Sequence, residues 1–381
     1  MTEKKDGGNI MRKTVSSVLA LAVTALLVLG AQRLLAVPSA PPLYEGTPRR
    51  VLRIWIIEGW TGSDAFVTKQ AAAFEKEFAG VSVRVRRAQP EELQSAEAVL
   101  PDLLLYEPGV LSDPQALLTP VVGETGIRPE IEASGRFRDV LYGVPLCMGG
   151  YCALTNTAYA DGAWAQEAIA GAMRKAEGKK QRQVYALQIP SDGARCFSAA
   201  ALCMGEASEG ILSRLPEGAA APDALGASAQ KAYQDFTQGS AAIVLCTQRE
   251  VRRFAALREA GKGFEFTVTA PERPYTDMLL LGSVLKGAPQ GELAVAFLSR
   301  LLLEENQKAL GGYGLFPVVE GVNPFSERDT PLLHAVFAPL RSSELLCANA
   351  YGWGAQQSAL SQAAQLGLRS GGVDIGSVPF Y

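Results

Sequence analysis

The 381-residue sequence contains a single histidine, His334. That scarcity excludes Cys2His2 zinc fingers, HExxH metalloproteases and three-histidine metal sites, and any Ser-His-Asp triad would have to use His334. His334 lies in Thr330-Pro-Leu-Leu-His-Ala-Val-Phe, a helix start with an apolar stripe, where it reads as a structural residue. A basic excess is also missing. The 36 Lys and Arg against 39 Asp and Glu give a net charge of −3, so the chain is not built to neutralise nucleic-acid phosphates. No GxxxxGK[ST] or GxGxxG occurs, so no phosphate-cradling glycine loop is expected. None of the six cysteines (Cys147, Cys152, Cys196, Cys203, Cys246, Cys347) forms a CxxC, and none precedes Cys147, which leaves no site for lipoprotein-type lipidation. Their even number permits disulfides in an oxidising compartment, and small buried hydrophobes are the alternative reading; a metal cluster is not expected. Glu58, Asp64, Glu107 and Asp277 are present, but no spacing marks a glycosidase pair, and the chain reads as a binder without cofactor rather than an enzyme.

Apolar residues make up 48% and charged residues 20%, an ordinary globular composition, and the length corresponds to about two or three domains. Residues 14–32 carry no charge and follow Lys4, Lys5, Arg12 and Lys13. As a helix this run would span about 28 Å, close to the hydrocarbon thickness of a bilayer. Residues 1–40 therefore read as a signal peptide or membrane anchor, with the remainder extracytoplasmic by the positive-inside rule. The proline-rich stretch 41–50 reads as a linker.

Beyond it, Arg50-Val-Leu-Arg-Ile-Trp-Ile-Ile predicts a buried strand, Ala65 to Phe78 a helix capped by Ser63 or Asp64, and Val81 to Arg86 a second strand. A strand–helix–strand unit implies parallel pairing. A short helix is expected over Pro90 to Val99, a buried strand over Pro101 to Tyr106, and two extended pieces around Gly149-Gly150, a candidate crossing between lobes. Further along, the pattern predicts helices over 161–176, 194–205, 229–238, 293–310, 331–340 and 354–368. It predicts strands over 184–189, 241–245, 264–270 and 276–285, with a tight loop at Gly311-Gly-Tyr-Gly. Alternating strands and helices across this length argue for an α/β protein with two lobes.

The order of short motifs resembles the extracellular solute-binding proteins of ABC importers, in the broad sugar-binding family that includes maltodextrin-binding proteins. The similarity runs from about residue 51 to 370. It rests on the Trp-bearing strand and the helix ending Phe-Glu-Lys-Glu-Phe (Leu52 to Val85), on Pro101-Asp-Leu-Leu-Leu-Tyr, and on Tyr142-Gly-Val-Pro-Leu with Leu154-Thr-Asn-Thr. Phe236-Thr-Gln-Gly-Ser-Ala-Ala-Ile follows, then Ala294-Val-Ala-Phe-Leu through Gln307 to Gly314-Leu-Phe-Pro-Val. Thr247-Gln248-Arg249 stands where the family usually has Gly-x-Trp. The resemblance implies a type II periplasmic-binding-protein-like fold with the ligand cleft between lobes. Lobe 1 would be 51–147 plus 276–312 and lobe 2 148–275 plus 313–381. The function it implies is capture of a small solute, carbohydrate foremost, by hinge closure and delivery to ABC permease subunits, with a membrane-anchored sensor or accessory ectodomain as the alternative. The expected state is a monomer, held to the membrane only if the N-terminal helix stays uncleaved, with no nucleic-acid partner.

Sugars need aromatic faces and polar edges, and ligands of open α/β sheets sit in loops after strands. On that basis the candidate ligand-binding residues are Trp60 and Glu58 after the first strand, Glu107 after the third and Tyr151 just past the crossing; the resemblance adds Arg249 in place of the family's Trp, Tyr313 in the loop at the last crossing, and Trp353, where the family often has an aromatic over the ligand. Tyr151 could face the cleft or the core; Arg249 could pair an anionic group, stack on a ring, or be an ordinary surface arginine.

Overall fold

The computed structural model describes residues 50–57, 62–94, 99–159, 185–190, 195–204, 224–271 and 273–370. The strands are β1 (Arg50–Ile57), β2 (Val81–Ala88), β3 (Leu103–Tyr106), β4 (Arg136–Phe137), β5 (Val140–Leu141), β6 (Val144–Met148), β7 (Tyr151–Asn156), β8 (Tyr185–Gln188), β9 (Ala241–Thr247), β10 (Phe266–Thr269), β11 (Tyr275–Thr276), β12 (Leu279–Val284) and β13 (Leu346–Cys347). The helices are α1 (Asp64–Glu77), α2 (Pro114–Leu117), α3 (Pro129–Glu132), α4 (Phe197–Cys203), α5 (Ala229–Thr237), α6 (Gln248–Glu259), α7 (Gly291–Leu301), α8 (Glu304–Tyr313), α9 (Pro331–Phe337) and α10 (Trp353–Ser370). The predicted N-terminal span, the linker up to Arg49 and the helix expected over 161–176 lie outside the described residues. Among the described residues no helix is long and apolar enough to cross a membrane.

Two sheets organise the chain. The first has the order β2-β1-β3-β12-β6, with β1 parallel to β2 and β3, and β12 antiparallel to β3 and β6. The second has the order β10-β7-β9-β8. Its strands β7 and β9 are buried on both faces, and their period of two sorts their side chains between two cores. Cys152 and Leu154 of β7, with Val244 and Cys246 of β9, pack into one apolar cluster that extends to the first sheet; Tyr151, Ala153, Ile243 and Leu245 pack into another, against α4 and α10. Each fully buried large apolar side chain contributes about 1.5–3 kcal/mol.

Three stretches of chain meet between the sheets. Met148 and Phe316 exchange backbone hydrogen bonds of 2.9 and 2.8 Å, Gly149 N–H donates to Met278 O at 2.8 Å, and Thr276 Oγ1 donates to Gly149 O at 2.8 Å. Phe316 anchors this crossing in an aromatic cluster with Phe325 and Phe337, at centroid distances of 5.3 and 5.1 Å.

Local departures from the predicted elements have physical causes. The single helix expected over 293–310 is two, α7 and α8. Asn306 Nδ2 donates to Arg300 O and Gln307 Nε2 to Leu301 O, so side chains take up the carbonyl ends of α7 and the chain restarts. Gln307 also receives Val318 N–H, which fixes it as a structural clamp. The predicted loop at Gly311-Gly-Tyr-Gly is instead the last turn of α8, ended by Gly314 in the left-handed conformation (φ 71°). The run 276–285 is broken at Asp277 and Met278 into β11 and β12. Of the helix expected over Pro90 to Val99, the described part is a 3₁₀ turn, Pro90–Gln94.

All six cysteines are free thiols. Cys152 and Cys246 are register partners across β7 and β9, with Sγ atoms 3.8 Å apart. Five of the six are buried, as small hydrophobes would be.

Candidate functional site

The chain forms several surface concavities. One of about 860 Å³ lies against β1 and β2, where the Arg86 guanidinium sits 3.9 Å from the Trp55 ring. Another, of about 710 Å³, runs beside α7 past the exposed Val122 and Val295. A third, of about 320 Å³, lies at the crossing of the two halves. It is lined by Gly62 from the first half, by Arg195, Thr247, Gln248, Arg249, Arg252 and Arg253 from the second, and by Tyr313, Gly314 and Leu315 from the crossing itself. Its volume is at the lower end of the roughly 300–1,000 Å³ typical of small-molecule sites. Position rather than size singles it out: it alone of the three touches both halves and the chain that joins them.

The floor of this cleft is built by the start of α6. Thr247 caps the helix in a capping box: its side chain accepts from Arg249 N–H, and the Glu250 carboxylate accepts from Thr247 N–H at 3.1 Å and from its hydroxyl at 2.6 Å. Gln248 ties this turn to the crossings. Its Oε1 accepts from Gly150 N–H at 3.0 Å, its own N–H donates to Gly150 O at 3.2 Å, and its Nε2 donates to Gly314 O at 3.4 Å. Val251 and Phe254 turn into the core, and Arg249, Arg252 and Arg253, at i, i+3 and i+4, share the exposed side of the helix. Opposite them stands half-buried Tyr313, its ring edge-on to Phe66 of α1 at 5.6 Å. Gly314 suits its position in two ways. Its φ of 71° suits glycine, and a Cβ there would run into the Arg252 guanidinium.

Of the residues singled out from sequence, Arg249 and Tyr313 come together in this cleft. Glu58 and Trp60 lie outside the described residues. The other three are buried. Glu107 is 5% exposed, not a solvated turn residue. Trp353 begins α10 and packs against Gly109, where a Cβ would meet its ring at 2.8 Å. Tyr151 faces the core. Its hydroxyl donates to Asp277 Oδ1 at 2.6 Å and its ring lies between Phe197 and Tyr275. Asp277 Oδ2 in turn accepts Cys196 N–H at 2.6 Å.

Burial pushes the Asp277 carboxyl up to about 6, outweighing those two hydrogen bonds and the nearby charge of Arg195, which draw it down. Burial, reinforced by the Asp277 charge, raises Tyr151 well above the ordinary tyrosine range, so it remains a neutral donor.

Sequence reasoning missed Arg195, Arg252, Arg253 and Gln248. The Arg249-Glu-Val-Arg-Arg spacing was a usable signal for a one-sided cationic stripe; the side it would face was not visible. His334 lies half-buried on α9, with Nε2 3.6 Å from Glu327 Oε1, and is not among the cleft residues. Among the described residues, no group of three or more His, Cys, Asp or Glu is arranged to hold a metal ion.

No protein-family profile matches the chain, and no curated protein sequence matches it. Solved structures do. The GacH receptor of Streptomyces glaucescens, solved unliganded and with acarbose and an acarbose homolog, superposes with a TM-score of 0.65 at 14% identity, over 85% of this chain and 94% of that one. The sugar-binding protein MalE from Xanthomonas citri gives 0.65 at 15% identity, over 86% and 94%. The ABC substrate-binding protein Lmo0181 from Listeria monocytogenes, in complex with cycloalternan, gives 0.56 at 14%, over 87% and 96%. The fold is the two-lobed α/β fold of these solute-binding proteins, over nearly their whole length.

Proposed function

We propose that this chain captures a small carbohydrate outside the cytoplasm and passes it to the permease subunits of an ABC importer. The observation that carries the reading is the cleft at the crossing, with Tyr313 on one wall and Arg249 on another, in a fold whose neighbours are sugar-binding or saccharide-bound. The physics suits a sugar. A half-buried aromatic offers a face for the apolar side of a ring, and guanidinium and amide groups offer donors for its hydroxyls. On this reading 51–147 plus 276–312 and 148–275 plus 313–381 are the closing lobes. The hinge lies where Met148–Tyr151, Tyr275–Leu279 and Gly314–Phe316 run side by side. Closure would bring the two lobes together over the ligand.

We assign direct ligand contact to Arg249 and Tyr313, with Glu58 and Trp60 completing the site from the other lobe. Glu107, Tyr151 and Trp353 are buried rather than in the cleft lining: Trp353 packs against Gly109 after β3, and Tyr151 donates to Asp277. The reaction is binding, not bond-breaking.

The test is thermal unfolding of the full-length chain against mono- and oligosaccharides, amino acids and polyamines. A ligand at about 100 times its dissociation constant adds about 2.7 kcal/mol, a rise in Tm of a few degrees for a chain of this size. A selective rise with a saccharide is the expected result. A rise confined to amino acids or polyamines would sink the carbohydrate reading, and none with any solute would sink solute capture.

A further inference from the structure

We propose that the cleft selects an anionic saccharide, one whose ring bears a carboxylate, phosphate or sulfate group, over its neutral counterpart. The inference rests on the solute-capture reading and names the ligand class of the same site.

Charge is the first argument. Four of the ten described residues lining the cleft are arginines, and none of those ten is acidic, in a chain whose net charge is −3. Across its described lining the cleft is thus opposite in charge to the molecule, and the Glu58 assigned to the other lobe would set one carboxylate against four guanidinium groups. Arg195 shares its charge with Asp277 behind it. The other three stand together on α6. Among the described residues, neither Arg252 nor Arg253 pairs with a carboxylate. Arg253 lies over the Tyr233 ring at 4.5 Å and donates to Gln230 Oε1 at 3.4 Å, both neutral partners. Farther along the same helix and outside the cleft, Arg258 does have an acidic partner, Glu265, at 3.5 Å.

Helix physics is the second argument. Arginines at i, i+3 and i+4 repel one another along one face. They also crowd the first half of a 12-residue helix, the end whose dipole already favours negative charge. Glu250 answers part of that field, but its carboxylate is buried with Thr247 and does not line the cleft. The arrangement disfavours the empty helix on both counts, and an anion seated on the stripe relieves both.

Fit is the third argument. Gly314 lets Arg252 come up against the second crossing beside Tyr313, so a cation and an aromatic face stand together at a joint. Guanidinium groups bind carboxylate, phosphate and sulfate through paired donors, and the Tyr313 ring takes the sugar's apolar face. A neutral sugar would use the ring and offer no charge to Arg252 and Arg253.

The experiment is calorimetric titration of the full-length chain with glucose, glucuronate, glucose 6-phosphate, galacturonate and its dimer, a sulfated glucosamine, maltose and inorganic phosphate and sulfate, at 50 and 500 mM salt. At least one charged saccharide is expected to bind tenfold or more tighter than its neutral parent, with affinity falling several-fold at the higher salt. Arg252→Gln should cut that affinity tenfold or more and leave the unliganded Tm unchanged, while Arg258→Gln should leave binding intact. Tighter binding of glucose or maltose, insensitive to Arg252→Gln, would overturn anion selection and leave solute capture standing. Inorganic phosphate or sulfate binding as tightly as every charged saccharide would overturn the saccharide part. Silence from every sugar, charged and neutral, would overturn the proposal together with the reading beneath it.

Discussion

Each of the two sheets has a small knot of buried polar side chains beside it, and the two knots are made of different chemistry. Beside the first sheet, Tyr106 Oη lies 2.9 Å from both Ser283 Oγ and Tyr351 Oη, and Ser283 donates onward to Tyr142 O at 2.8 Å. This knot consists of hydroxyls. Burial pushes Tyr106 up to about 12, so it carries no charge at any pH the protein meets. Beside the second sheet the knot is Asp277, with Tyr151 and the Cys196 N–H as its donors. A buried carboxylate costs more than a buried hydroxyl unless its charge is fully answered, and here it is answered by two hydrogen bonds and one nearby arginine. That arginine, Arg195, also lines the cleft. The comparison teaches that the hydroxyl knot is insulated from pH, and that the other carries a titratable group wired by one side chain to the ligand site.

The largest expected effect breaks the charged knot alone. The folded pKa of Asp277 is about 6 against an ordinary value of 3.8. The folded state therefore holds this proton more tightly than the unfolded chain does. The stability it contributes is complete below about pH 4 and is lost as pH rises through about 6. A shift of about two units corresponds to roughly 3 kcal/mol. Asp277→Asn keeps an acceptor for Cys196 N–H and gives Tyr151 a donor, and it removes the titration. The stability difference between wild type and Asp277→Asn, measured by urea unfolding from pH 4 to 7, should change by about that amount in favour of the variant as pH rises. A difference independent of pH would show that Asp277 is ionised alike in both states and would erase the contrast.

The neutral knot gives a smaller effect of different form. Tyr106→Phe leaves the Tyr351 hydroxyl without that partner, while Ser283 keeps its bond to Tyr142 O. The expected loss is about 1–2 kcal/mol, equal at pH 4 and pH 7 within error. The same pair of urea titrations measures it, and a pH-dependent loss would mean that a charge is hidden near this knot too.

Much of this was legible in the sequence, and what was not has a common cause. The strand–helix–strand start was readable because Val81-Ser-Val-Arg-Val alternates strictly and because Phe66, Phe74 and Phe78 keep helical spacing. The crossing was readable because Gly149-Gly150 interrupts two apolar runs. By contrast, nothing local marks Leu302-Leu303 as a helix break. The break exists because Asn306 and Gln307 reach back to the carbonyls of Arg300 and Leu301. Tyr151 was ambiguous for the same reason: its partner Asp277 is 126 residues away. In the cleft, the arginine spacing was visible, yet its meaning depends on Gly314 and Tyr313, brought alongside from another part of the chain. Short-range periodicity reveals elements; side chains that meet across long sequence distances decide breaks and sites.

The smallest expected effect tests whether the two halves differ in tightness rather than in charge. Cys147 lies in the first sheet, Cys196 and Cys203 beside the second. Burial raises all three thiols, Cys196 and Cys203 to about 12 and Cys147 further. Because the thiolate is the nucleophile, native protein at pH 8 should release almost no colour from a disulfide reagent such as DTNB over minutes, and denaturant should release the signal of all six. Cys246 belongs to the same prediction, since burial and the facing Cys152 thiol also raise it. One fast thiol in the native protein would locate a local opening. If it mapped to Cys196 or Cys203, the half that bears the charged knot would also be the looser one, and Asp277 would reach its proton through opening rather than through the closed core.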